Sequence, residues 1–250
     1  EYHGPTLNYL TLLPAWIASE TKLSDATETT LRIVPVFFGF CTVLLFFLLR
    51  DIDKQSLAFA ALLTACSPAM VYYSRYYIQE MLLVSFSFGL IVAGSRLIIG
   101  GRTFWAVIVG ACAGLMYATK ETCLISFGAA ALAFLGVLLL RRREGRSAFP
   151  ISVRNIAVAL FSAIAVSVMF FSSFFTHWQG VADSVLAYQT YVSRAGENAL
   201  HGHPWYYFLQ ILTWSQGDHG PVWTEAAIIG FALLGIWSAL RGKADSGHSA

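Results

Sequence analysis

Four short groups of residues carry the side chains most able to do chemistry: Glu1-Tyr2-His3-Gly4-Pro5, Ser74-Arg75-Tyr76-Tyr77-Ile78-Gln79-Glu80, Lys120-Glu121 and His201-Gly202-His203-Pro204-Trp205. Glu80 is the sharpest, because it stands at the start of a very apolar run. A carboxylate there is costly unless it is paired, hydrated or metal-bound. It is either a site acid or an interfacial acid favoured by a helix N-terminus. Lys120-Glu121 closes another apolar run. The pair is either a surface ion pair at a helix junction or a cation for phosphate with Glu121 orienting it. Arg75, set beside tyrosines, is an interfacial anchor or a phosphate clamp, since a guanidinium fork matches phosphate oxygens. His3 with Glu80 offers the imidazole and carboxylate donors that suit zinc or manganese, although no local His-x-x-x-His spacing supports it. His201 and His203 are two apart, which on a helix would turn them to different faces. Beside Pro204-Trp205-Tyr206-Tyr207 they read as interfacial packing as readily as ligands.

These groups must be held by a membrane-embedded scaffold. Of 250 residues, 57% are hydrophobic and 12% charged, with a mean hydropathy of +0.63. Soluble domains carry roughly 25% charged residues, so a water-facing coat is missing. A net charge of +2 and the lack of a basic patch with interleaved aromatics exclude nucleic acid as a partner. Cys41, Cys66, Cys112 and Cys123 lie inside apolar runs, at spacings that suit neither a disulfide framework nor a zinc site. Runs long enough to cross a bilayer lie near 32–49, 56–73, 79–99, 103–119, 122–140, 155–176 and 223–240. They show no period-2 alternation, which argues against a β-barrel. The fold expected is all-α integral membrane, with about seven transmembrane helices plus interfacial helices in the outer loops. It forms one multi-pass domain: an outer interfacial segment 1–31, six spans in 32–176, an outer loop 177–222 and a last span 223–241.

Alternating spans sort the loops into two sets, with eleven basic residues on one side and five on the other. The positive-inside rule puts the richer set, which includes Arg141-Arg142-Arg143, in the cytoplasm. Ten of the fourteen acids then lie outside with all four chemical groups. Acids contribute little to orientation, so function on the outer face is one account of their excess.

The order of the motifs resembles a known family. His3-Gly4-Pro5 comes first, then Arg32-Ile33 opening a span, Ser67-Pro68, Ser74-Arg75 with an acid five residues later at Glu80, and Ala118-Thr119-Lys120-Glu121 closing a later span. This is similar to the multi-pass glycosyltransferases of the C-type membrane fold, which include protein O-mannosyltransferase and lipid A aminoarabinose transferase relatives. Tyr2-His3-Gly4-Pro5 and His203-Pro204-Trp205-Tyr206-Tyr207 most resemble the flippase-activity-associated proteins of archaeal-type N-glycosylation. The likeness is good over 1–125 and looser beyond. It implies transfer of a sugar from a polyprenyl-phosphate carrier to a glycan, lipid or protein acceptor, at the non-cytoplasmic face of the plasma membrane. Glu80 takes the place of the second family acid, usually Asp, as the catalytic residue. Arg75, Tyr76, Lys120, Glu121, His203 and Trp205 are implied in binding substrate and phosphate. A divalent metal, if used, would draw on His3 and Glu80. Gly4 stands where many members have Pro or Lys, which weakens any donor-phosphate role there.

The family's first-loop acid would precede Glu1, so the chain reads as a fragment lacking the first span, inactive alone. The aromatics Trp178, Tyr188, Tyr191, Trp205, Tyr206 and Tyr207 line an outer cavity or mark the interface. Two other functions fit the composition. A non-enzymatic partner of a lipid-linked sugar flippase needs the same topology but no poised acid. A secondary transporter usually shows inverted repeats and helices broken at mid-membrane; here no internal repeat is found, Pro68 lies toward the outer third of its span, and ionisable residues at mid-membrane are nearly absent.

Overall fold

The computed structural model describes residues 3–22, 25–49, 52–145, 151–196, 204, 206–216, 220 and 222–246. All seven apolar runs form helices. Four helices are long and apolar enough to cross a membrane: α2 (Glu28–Leu45, extended to Leu48 by a tighter turn), α5 (Glu80–Gly100), α7 (Cys123–Arg143) and α8 (Val153–Phe171). The run near 56–73 differs from the single straight span expected. It is divided into α3 (Lys54–Cys66) and α4 (Pro68–Arg75), which meet at 58° and make a fifth crossing if taken together. Pro68 causes the break: it lacks an N–H and holds Ser67 extended at φ −60°, ψ 123°. The remaining two are shorter apolar helices, α6 (Thr103–Thr119) and the described start of α11 (Ala226–Ser246).

The shorter elements occupy the places expected of interfacial pieces. Helix α1 (Thr6–Ile17) buries Thr6, Leu7 and Thr11, while Leu12, Leu13, Trp16 and Ile17 face outward. At 1.5 Å per residue it is too short to span. Between α8 and α11 lie α9 (Gln179–Gly196), α10 (Tyr207–Thr213) and a two-stranded antiparallel ribbon, β1 (Ser215–Gln216) with β2 (Val222–Trp223).

Helix α6 is the centre of the bundle, packed between α5 and α8. Gly110 and Gly114, one turn apart, let α8 approach directly. A Cβ at Gly110 would sit 2.1 Å from the Ala159 carbonyl oxygen, and one at Gly114 would sit 2.5 Å from that of Ala163. Small residues at this spacing are how helices pack closely in lipid, where burial from water gives no drive. Ser162 Oγ donates to the Val107 carbonyl at 2.9 Å across the same seam. The tightest side-chain packing gathers Leu7, Val34, Leu82, Phe86, Met116 and Cys123. Most of these lie where α5 and α7 begin and α6 ends, so the firmest part of the bundle supports the end that carries the acids. Helix α7 buries little beyond Cys123 among its described side chains.

Candidate active site

Two side-chain pairs form where α6 ends. Lys120 caps that helix with an extended backbone, φ −157° and ψ 139°. Extended residues send successive side chains to opposite sides, so Lys120 and Glu121 part company. Lys120 Nζ donates to Glu80 Oε1 at 2.5 Å, and Glu121 receives His3 Nδ1 at 3.1 Å. This differs from the neighbouring Lys120–Glu121 pair expected from sequence. Glu80 is the first residue of α5, where the helix dipole favours its charge. Its side chain is 34% exposed and that of Lys120 17%. The second oxygen, Glu80 Oε2, is buried with no hydrogen-bond partner among the described residues. A buried acceptor in that condition calls for a donor from elsewhere.

His3 reaches Glu121 because the chain before α1 lies against the end of α6. Gly4 N–H donates to the Thr119 carbonyl at 3.2 Å, and Thr6 Oγ1 donates to the Ala118 carbonyl at 2.6 Å. No side chain would fit at Gly4, where a Cβ would lie 2.0 Å from the Ala118 oxygen. The residue that departs from the family's Pro or Lys is therefore the one that lets His3 dock.

His3 and Glu80 take different partners, so the geometry gives no support to a metal site built on the two. Among the described residues no group of three His, Cys, Asp or Glu side chains could hold a metal ion. The described side chains therefore do not assemble a resident metal site. Arg75 ends α4 and lines a separate cavity of about 280 Å³ with Glu28, Arg32 and Val36. Tyr76 stacks on Tyr72 at 5.6 Å and is exposed. His203 and Trp205 lie outside the described residues.

A cavity of about 220 Å³ opens beside the His3–Glu121 pair. Its walls are His3, Gly4, Pro5 and Tyr9 from the α1 region, Tyr117 and Glu121 from the end of α6, Phe170, Phe171 and Ser173 from the end of α8, and Gly180, Asp183, Ser184, Ala187 and Tyr188 from α9. The Tyr117 and Tyr188 rings stack at 6.0 Å and 21°, and the Tyr117 hydroxyl makes a long contact to the Ser184 carbonyl at 3.4 Å. Burial pushes the Tyr188 hydroxyl above its ordinary range, so it stays protonated. Ser173, Phe174 and Phe175 are three consecutive non-glycine residues at positive φ, 52°, 56° and 71°. Bonds from Phe174 N to the Met169 carbonyl at 2.8 Å and from His177 N to the Ser172 carbonyl at 2.7 Å hold this turn. Tyr188 was visible in the sequence as an outer aromatic. Tyr117 was hidden inside an apolar run, and Asp183 had no motif to mark it.

The dolichyl-phosphate-mannose-protein mannosyltransferase family matches residues 10–174, about two thirds of the chain. The match takes in Arg75, Glu80, Lys120 and Glu121, but not His3 or α9. Neither a curated protein nor a solved structure matches the chain. With the apolar helices and the matched stretch together, the chain belongs to the dolichyl-phosphate-mannose-protein mannosyltransferase family of multi-pass membrane glycosyltransferases.

Proposed function

We propose that the protein moves a sugar from a polyprenyl-phosphate carrier to an acceptor hydroxyl on a glycan, lipid or protein, at the non-cytoplasmic face of the plasma membrane. The observation that carries this is Glu80, which is bound to Lys120 through one oxygen while the other lies buried without a donor. In the reaction the acceptor oxygen attacks the anomeric carbon, the bond from that carbon to the carrier phosphate breaks, and the hydroxyl proton goes to a carboxylate. Glu80 takes that proton, or holds the acceptor for another base. Lys120 answers the negative charge that gathers on the leaving phosphate, which fixed cations stabilise better than water does. Arg75 stands apart and serves the carrier's phosphate on approach, or anchors α4 at the interface. The bias of basic residues toward the opposite loops supports the sidedness, and the isoprenoid tail accounts for a site at a helix end.

The test is release of free polyprenyl phosphate from polyprenyl-phosphate-linked mannose by the purified full-length protein with candidate acceptors. Glu80→Gln should lower the rate by about 10²–10⁴-fold, the usual worth of general-base help. Absence of release by the wild type across several carriers and acceptors would favour the non-enzymatic flippase partner, with Glu80 an interfacial acid.

A further inference from the structure

We infer that the crevice between α2, α5 and α6 is a site for one anionic phospholipid, which sets its phosphate on Arg96 and an acyl chain in the crevice. The site lies at the end of the bundle opposite Glu80 and does not depend on the transfer reaction. Glu80 opens α5, and Arg96 follows sixteen residues later in the same helix, about 24 Å away at 1.5 Å per residue. An arginine inside so apolar a helix is costly and needs a partner. The Trp105 ring takes up one side of the guanidinium, with Arg96 Cζ 4.9 Å from its centroid. Its edge is left wanting: Arg96 Nε is buried with no hydrogen-bond partner among the described residues. Nε and a neighbouring Nη make the fork that two phosphate oxygens fit.

The crevice begins where that fork stands. Arg96 shares one face of α5 with Gly89 and Ala93, at i+7 and i+3, and both line the crevice across from Leu45 and Cys112. Trp105 belongs to both parts, since it lines the crevice and holds the guanidinium. The crevice holds about 200 Å³, room for a stretch of one hydrocarbon chain, and its walls are almost wholly apolar. Leu48 at its rim is exposed, so it opens on the lipid-facing surface.

The charge at this end selects the headgroup. Arg102 caps α6 and Arg154 Nη2 donates to Thr103 Oγ1 at 3.0 Å, which gathers both at the turn between α5 and α6. Among the described residues Arg96, Arg102 and Arg154 form no ion pair. A phosphate without an ammonium group meets only attraction there, whereas the ammonium of a choline headgroup meets three like charges. The site therefore takes phosphatidylglycerol in preference to a zwitterionic lipid. Bound there, the lipid braces α5, the helix whose other end carries Glu80.

The experiment places the full-length protein in phosphatidylcholine nanodiscs doped with a phosphatidylglycerol that carries a diazirine midway along one chain. Crosslinks are mapped by peptide mass spectrometry, and a phosphatidylcholine with the same diazirine is the second probe. In the wild type the phosphatidylglycerol should label the α5 and α6 walls of the crevice at least about tenfold more than the phosphatidylcholine, the worth of one charge-assisted fork. Arg96→Gln should bring that labelling down to the phosphatidylcholine level and leave labelling elsewhere on the bundle unchanged. Arg96→Lys should keep only part of it, because an ammonium attracts phosphate without the fork. Arg102→Gln, an exposed change at the same end, should alter it by less than about threefold. If Arg96→Gln does not fold, the comparison of Arg96→Lys with Arg102→Gln carries the test. Equal labelling by the two probes, labels spread evenly over the bundle, or a loss with Arg102→Gln as large as with the Arg96 variants would overturn the proposal. So would displacement of the label by soluble glycerol phosphate, which would make this a site for free phosphate and not for a lipid.

Discussion

At Gly4 the backbone lies so close to the end of α6 that even a methyl group has no room, and the neighbour it would strike is backbone rather than a yielding side chain. Gly4→Ala should therefore push His3 away from Glu121. It should cost about 1–3 kcal/mol, the usual range for overpacking, seen as a lower melting temperature together with a lower rate of polyprenyl-phosphate release. A change in rate with no change in melting would show that His3 acts in the reaction and not only in docking. The sequence marks candidate residues more clearly than it shows how they pair. Glu80 and Lys120 are 40 positions apart, so their bond could not be read from spacing. The same holds for His3 and Glu121, 118 positions apart. What the sequence does carry is the order of the motifs and their common end of the bundle, because antiparallel spans return alternate loops to one side.

Among the elements, every apolar run became a helix, since a backbone in lipid has to satisfy its own hydrogen bonds. The break within α3–α4 was signalled by Pro68, but its angle depends on what packs against it. The contact between α6 and α8 was also written in the sequence, as two glycines four residues apart, and it is invisible to hydropathy because a window average keeps no record of which face a residue occupies. Gly110→Ala should lower the melting temperature by the equivalent of about 1–3 kcal/mol, because the added carbon meets the Ala159 backbone. Gly128→Ala on α7 is the control: nothing lies within 4 Å of its Cβ, so its melting should hold or rise slightly. Equal effects at the two positions would remove the case for α6–α8 as the tight seam.

For the whole molecule, orientation is the property on which the proposed chemistry depends. Replace the four cysteines by alanine and place single cysteines at Lys54 or Asp183. A membrane-impermeant maleimide added to intact cells should then label position 183 and spare position 54 until the membrane is opened. The reverse pattern would turn the site toward the cytoplasm and end the assignment of face. Hydropathy and charge bias give such an orientation without any tertiary knowledge, because they record how each loop meets the membrane and not how helices meet one another.

Glu225, just before α11, accepts from Ser67 Oγ at 2.7 Å and from the Ala69 N–H at 2.8 Å, both through Oε1. It thereby satisfies an amide at the start of α4, the helix that ends in Arg75. The bond to Ser67 joins residues 158 apart in sequence. Synthesis runs from the N-terminus, so α4 enters the bilayer with that amide still open and waits until Glu225, 156 residues after Ala69, has been made. The helix that ends in Arg75 is thus fastened at its start only after α5 to α10 have been made. Fastening the start of α4 is in that sense a late step of biogenesis, made by a distant stretch of the chain.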